Sequence, residues 1–337
     1  MTPATNLLIL TASDVDAVVA RLDVEELVDL TKAVFGSIPS DAEKPVCPPR
    51  LTIPAPEHTA LVMPARLPAT SKVGGTAIKI VSVTQKIGLP ASTILLDESG
   101  RVEAIVNARK LTALRNAAAS LLSTRLLFQR DPKRVIAFGA GEQIHAHLSL
   151  FCRAYKSIEG CTIVGRSNST RLPALIVSLS TKFPGVDFQS LSQDIPTEEV
   201  LADADIIICA TPSTTPLFED LPASTRSLRK HVILIGSYTP SMHEIPGPLA
   251  RRATTVCVDD VEACLKEAGE LIEAGFRKEE VVGLGQLLGR SSKTDKTEKG
   301  FTLFKSVGTG LQDVAIARSV LNKAKEMSIG TSVPQYD

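Results

Sequence analysis

The chain is predicted to be α/β: a Rossmann-type doubly wound parallel sheet joined to a second, α+β domain for substrate binding and dimerisation. Three observations predict it. Beyond residue 130, short continuous apolar runs alternate with helical patterns, as in a parallel sheet covered on both faces. One of those runs, RVIAF at 134–138, leads straight into Gly139-Ala140-Gly141 and a helical stretch. Before residue 130 the texture is different: period-two alternation, a Ser-Gly turn and eight prolines between 39 and 68, which suit an antiparallel sheet and its connections.

In chain order, residues 7–10 form a short apolar strand with no basic segment before it, and read as structure rather than as a secretory signal. Ser13 or Asp14 can cap a helix over 15–20, and a second helix covers 24–35. Within the proline-rich stretch, LTI at 51–53 and LVM at 61–63 are short β pieces. AIKIVSV at 77–83 alternates as a strand, and strands at 92–96 and 102–106 form a hairpin through Glu98-Ser99-Gly100. Residues 110–127, rich in Ala and Leu, are a long helix. The strand at 134–138 is followed by a helix to about 155, a strand at 161–164, a helix at 169–181 and a strand near 186–189. Further apolar strands lie at 205–210, 231–236 and 254–258. GLGQLLG at 283–289 has neither a buried strand before it nor a phosphate-loop lysine, and reads as a loop. The last helix, 314–325, should pack on the first domain. The expected domains are 1–128 with 312–337, and 129–311.

Composition bounds the function. The 337 residues suit two domains, and with 44% apolar residues but no Trp the core must be aliphatic. The 37 basic and 37 acidic residues cancel and form no basic stripe, so nucleic acid is not an expected partner. No apolar run approaches the ~20 residues of a membrane helix. The six cysteines form no CxxC pair and read as small buried hydrophobes of a reducing, cytoplasmic setting. His145 and His147 are two apart on a helix and point to different faces, while His58, His231 and His243 are isolated, so no metal site is expected. No GxSxG elbow is present, which argues against hydrolase chemistry.

The turn at 139–143 is a dinucleotide site. Gly139 permits the tight turn, Gly141 lets a pyrophosphate approach the backbone, and Ala140 and Gln143 complete the cradle at the helix N-terminus. Ile144 departs from the third small position of that pattern. The second strand ends Gly165-Arg166-Ser167-Asn168, with no carboxylate to repel a 2′-phosphate. Arg166 can pair with that phosphate and Ser167 and Asn168 can donate to it, so NADP(H) is the preferred cofactor, with NAD(H) the alternative.

ALVMPA at 60–65, AIKIVSV at 77–83, LTALRNAA at 111–118, CATPSTTPLF at 209–218 and FKSVGTGLQDVAIA at 304–317 occur in the order found in the ornithine cyclodeaminase/mu-crystallin family, which the chain resembles over nearly its whole length. The resemblance implies a homodimer with the active site in a cleft between the two domains. It implies that Arg50 and Arg115 grip a substrate carboxylate and that Lys79 is the active-site lysine. It places Thr112, Thr211, Pro212, Ser213 and Ser306 near the nucleotide, with Met63 and Tyr238 at the substrate. Asn116 stands where the family often has Thr. Cyclodeaminases carry an Asp where this chain has Tyr238, and ketimine reductases of the mu-crystallin kind lack it.

Reducing a C=N bond needs a hydride, a proton for nitrogen and a fixed carboxylate beside the carbon. Guanidinium groups suit the carboxylate, and a lysine near two arginines should have a lowered pKa suited to acid–base work. The expectation is therefore a reductase of a small cyclic imino acid. Its alternatives are an NAD-dependent ornithine cyclodeaminase, and a non-catalytic NADPH-binding protein of the crystallin kind.

Overall fold

A computed structural model describes residues 6–36, 44–68, 73–84, 88–166, 169–193, 197–222, 229–289 and 300–336. The chain divides into two compact units, residues 1–115 with 309–337, and residues 116–308.

Unit one contains β1 (Leu7–Leu10), α1 (Ala12–Val19), α2 (Val24–Phe35), β2 (Leu51–Pro54), β3 (His58–Leu67), β4 (Gly75–Thr84), β5 (Ala91–Leu96), β6 (Val102–Asn107) and the start of α3 (Arg109–Leu127). It is completed from the far end of the sequence by α11 (Gly310–Glu326) and β15 (Thr331–Val333). Its sheet runs β15-β1-β6-β5-β4-β3-β2, with β1 parallel to β6 and the other pairs antiparallel. Helix α1 starts earlier than expected because Thr11, not Ser13 or Asp14, is the cap. Its hydroxyl accepts the Asp14 N–H while the Asp14 carboxylate accepts the Thr11 N–H. Helix α11 likewise begins ahead of 314, capped by Thr309. Pro64 lies within β3 but past the stretch that β2 pairs, where a missing donor is tolerated.

The two faces of this sheet differ. Met63, Lys79, Thr93 and Val106 lie along one register line and are all buried, with α11 packed on β3 and β4. On the opposite face Ile9, Ile105, Ile94 and Ile78 line up across four strands, and Ile80, Val62 and Leu51 across three. That apolar face stays partly open, with Leu51 61% and Ile53 54% exposed.

Unit two is a doubly wound parallel sheet. Its strands are β7 (Arg134–Phe138), β8 (Gly160–Gly165), β9 (Asp187–Ser192), β10 (Ile206–Cys209), β11 (Arg229–Leu234), β12 (Thr255–Val258), β13 (Val282–Gly283) and β14 (Gly300–Lys305). They run β13-β12-β14-β11-β10-β7-β8-β9, all parallel. The helices are α4 (Glu142–Ala154), α5 (Arg171–Lys182), α6 (Glu198–Asp203), α7 (Gly247–Arg251), α8 (Val261–Glu267), α9 (Gly269–Glu273) and α10 (Leu284–Leu288), with a 3-10 turn at Lys278–Glu280. Strand order reverses between β7 and β10, the switch point at which such sheets open a ligand crevice.

Three expectations need correction. The segment 283–289 is not a loop, because it carries the end of β13 and helix α10. FTLFK at 301–305 is a strand, β14, inserted between β11 and β12, and the sequence reading gave it no strand of its own. Cys47 is exposed, unlike the other five free cysteines, which are buried.

Candidate functional site

Two sets of side chains carry chemistry, one in each unit. In unit one the alternation of β4 turns Lys79 inward with Ala77 and Val81. A buried ammonium needs a partner, and Asp313 on α11 supplies it at 2.7 Å. Arg115, also buried, reaches the other oxygen of the same carboxylate through Nε at 3.1 Å and donates from Nη1 to Gln312 at 2.9 Å. Gln312 answers by donating to the Arg115 carbonyl at 3.3 Å. One carboxylate thus holds an ammonium and a guanidinium. Burial lowers the Lys79 pKa to about 8, with Asp313 opposing the shift and Arg115 and Arg50 assisting it. Arg50, half-buried ahead of β2, is near enough for its charge to be felt. Met63 stands directly across from Lys79 in the β3–β4 pairing.

In unit two a cavity of about 610 Å³ opens at the switch point. Gly139, Ala140 and Gly141 form one wall, Arg166 and Arg171 a second, and Thr211, Pro212 and Ser213 a third. Gly139 has φ +118°, a conformation that favours glycine, and a Cβ there would stand 3.0 Å from the Ala210 carbonyl oxygen. Gly141 caps α4 with no side-chain bond, and a Cβ there would meet only open space, so a ligand can approach the first N–H groups of the helix. The Thr211 hydroxyl and Gln143 Oε1 are buried without a partner among the described residues. Among the described residues, none of those lining the cavity is acidic. These features fit a dinucleotide: a phosphate cradle, nearby cations, and buried polar atoms without a protein partner.

Not every candidate joins these clusters. Thr112 lies in unit one, its hydroxyl donating to the Ala108 carbonyl at 3.2 Å. Ser306 is buried and donates to Asp259 at 2.6 Å rather than lining the cavity. Asn116 is buried at the start of the unit-two part of α3. Tyr238 is half-buried on the loop after β11, and Ser167 and Asn168 lie outside the described residues. The sequence reading missed Asp313 and Gln312, although both fall inside the FKSVGTGLQDVAIA segment, and Arg171, five residues on from Arg166 in the sequence. Among the described residues no group of three or more His, Cys, Asp or Glu side chains could hold a metal, and no helix is long and apolar enough to cross a membrane.

Comparison with known proteins places these features in context. The profile of the ornithine cyclodeaminase/mu-crystallin family matches residues 8–328. A Δ1-pyrroline-2-carboxylate reductase of Colwellia psychrerythraea is 31% identical over 322 residues, covering 90% of this chain and 96% of that one. The ketimine reductase mu-crystallin of Mus musculus is 28% identical over 279 residues, covering 81% and 83%. Among solved structures, the Δ1-pyrroline-2-carboxylate reductase of Thermococcus litoralis, in complex with NADH and L-proline, superposes with a TM-score of 0.82 at 24% identity, covering 97% of this chain and 100% of that one.

Proposed function

The chain belongs to the ornithine cyclodeaminase/mu-crystallin family, and from that premise we propose that it reduces the C=N bond of a small cyclic imino acid, such as Δ1-pyrroline-2-carboxylate or Δ1-piperideine-2-carboxylate, to the cyclic amino acid. The observation that carries this reading is the buried Lys79 ammonium, held by Asp313 with Arg115 on the same carboxylate. The relatives named as reductases of such acids support it.

When bound, NADPH supplies the hydride. The chain's own residues supply the rest. With a pKa of about 8, Lys79 is protonated at neutral pH yet gives up its proton readily, so it can protonate the imine nitrogen, directly or through a water. Asp313 keeps it charged in spite of burial. Arg115 and Arg50 suit the substrate carboxylate, Arg115 being pre-oriented by Asp313 and Gln312, and Met63 and Tyr238 are the apolar and aromatic groups assigned to the substrate ring. Arg166 and Arg171 in the cavity wall, with no acidic residue among the described lining, favour NADP(H) over NAD(H). Unit one would serve as substrate and dimerisation domain, two copies meeting through the Ile-rich sheet face, and unit two as the nucleotide domain.

The test mixes the protein with NADPH and each imino acid and follows the loss of reduced-nicotinamide absorbance, with ammonia release from ornithine measured separately. Oxidation of NADPH without ornithine deamination is expected. Ammonia release without imine reduction would instead make the chain a cyclodeaminase, a reading that Tyr238, standing where those enzymes have Asp, speaks against.

A further inference from the structure

The carboxyl edge of the unit-two sheet is held by buried charges that the proposed chemistry does not use. Glu244 is fully buried beyond β11. One of its oxygens accepts the Thr211 N–H and the other the Gly236 N–H, both at 2.8 Å. Thr211 follows β10 and Gly236 follows β11, so one side chain ties the ends of two neighbouring strands. The two backbones are in close contact there: a Cβ on Gly236 would stand 2.0 Å from the Thr211 carbonyl oxygen. Close by, the buried Lys305 ammonium donates to the Ser237 carbonyl at 2.6 Å and pairs with Glu270 at 3.2 Å, while the Ser237 hydroxyl donates to Glu270 at 2.6 Å.

Two carboxylates and one ammonium leave this network with one excess negative charge when all are ionised. Burial raises the Glu244 pKa to about 7; Lys305 and the two N–H groups oppose the rise and Glu270 adds to it. A buried charge is costly, and an apolar residue of similar size would pack there more simply. The cavity suggests what the charge does. With Gly139–Gly141 at the phosphates and Arg166 at the adenosine end, the Thr211–Ser213 wall is the part left for the nicotinamide riboside. A nicotinamide is cationic when oxidised and neutral when reduced.

We propose that Glu244 is a positioning residue for the redox half of the nucleotide: its carboxylate fixes the Thr211–Ser213 wall, and its charge favours the oxidised nicotinamide over the reduced one. The proposal rests on the assignment of this cavity to NADP(H). Linkage makes the effect reciprocal: bound NADP+ stabilises ionised Glu244, so NADP+ affinity rises relative to NADPH as pH rises through about 7. The other groups facing Glu244 are Lys305 of β14 and Glu270 of α9, with the Cys209 thiol of β10 nearby, its pKa pushed well up by burial and so neutral in this range. His243 precedes it in the chain and faces Glu273 at 3.7 Å.

The test is the ratio of dissociation constants for NADPH and NADP+, by fluorescence and calorimetry on the full chain, from about pH 6 to about pH 8.5, the range that brackets neutrality. The wild-type ratio should rise about fivefold or more across the range. It should be flat in Glu244→Gln, whose amide offers one acceptor where the two backbone N–H groups need two. His243→Asn should keep the wild-type profile. A flat wild-type profile overturns the proposal, as does an unchanged profile in folded Glu244→Gln, or a profile lost in His243→Asn. Should Glu244→Gln not fold, the wild-type and His243→Asn profiles decide. A wild type that binds neither nucleotide overturns the cavity assignment as well, whereas a flat profile with both nucleotides bound leaves that assignment standing.

Discussion

Lys79 and Asp313 make a pH prediction. An acid must carry its proton to act, and the Lys79 pKa is about 8, so the imine-reduction rate should hold below that pH and fall about tenfold per unit above it. Asp313→Asn removes the main charge that keeps the proton on, so the falling limb should move to lower pH, read from the pH–rate profile. Lys79→Ala should abolish turnover with NADPH affinity unchanged by fluorescence titration; near-normal turnover would end the assignment. In the nucleotide cleft, Arg166→Asp and Arg171→Ala should each weaken NADPH binding about tenfold or more with little effect on NADH, since a charge-assisted hydrogen bond is worth about 1.5–3 kcal/mol. Equal losses for both nucleotides would count against a 2′-phosphate contact. At this scale the resemblance, not the pattern, singles out Lys79 and Arg115, which the structure brings onto one carboxylate; a lysine on an alternating strand or an arginine on a helix could otherwise face water. Asp313 is not legible in the pattern, because the apolar period of α11 shows only from Val314 onward while the helix begins at Gly310.

The long helix α3 is tied to its unit-two neighbours by two buried histidines. His147 on α4 gives its Nδ1–H to the Gln143 carbonyl at 2.7 Å, which leaves Nε2 to accept from Ser120 at 2.9 Å. The Ser123 hydroxyl donates to the Ser120 carbonyl at 2.8 Å and so accepts from His231 Nε2 at 3.2 Å, while His231 Nδ1 accepts from Thr302 at 2.8 Å. Burial holds both rings neutral, lowering His147 to about 4 and His231 to about 3. The unfolded chain takes up these two protons near pH 6.5 and the folded chain does not, so stability is full above that pH and declines as pH falls toward about 4. The two rings contribute a slope of up to two protons, about 2.7 kcal/mol per pH unit, which Glu244, protonated in the folded chain up to about 7, offsets by about one; measured by urea unfolding, the slope should be about one proton lower in His147→Gln if that variant folds. Elements with a single strong period were readable from sequence: α2 occupies the expected residues, as does β7. Strand β14 was hidden because it emerges from the polar stretch at 290–299 without a turn signal, and β13 because two residues are too few to show a period.

At the scale of the whole molecule, the two sheets need different things. The parallel sheet of unit two is apolar on both faces, with Ile136, Ile207, Val232 and Leu303 wholly buried on one and Ala137, Ile208, Ile233 and Phe304 on the other. The mixed sheet of unit one covers one face with α11 and leaves the Ile-rich row on the other partly open, with Ile80 39% exposed. In the proposed dimer this contiguous apolar surface is the face that associates. Ile80→Lys and Ile94→Asp should therefore convert a dimer to a monomer in sedimentation experiments, with the nucleotide affinity of unit two kept. A wild-type monomer at micromolar concentration would refute the dimer. The parallel sheet was legible because its strands are continuous apolar runs. The open face was not, because the same alternation is written whether the second face meets water or another sheet.

The pairing of β1 with β15 has a consequence for synthesis. Leu7 lies against Val333, so one edge of β1 stays bare on the ribosome until Thr331–Val333 has emerged. All of unit two is translated in that interval and can close on its own residues. Lys79 meanwhile waits for Asp313, its ammonium kept in water because its counter-ion has not yet been made. The nascent chain therefore carries an open half-sheet ahead of unit two until its last residues emerge, the form on which a chaperone would act.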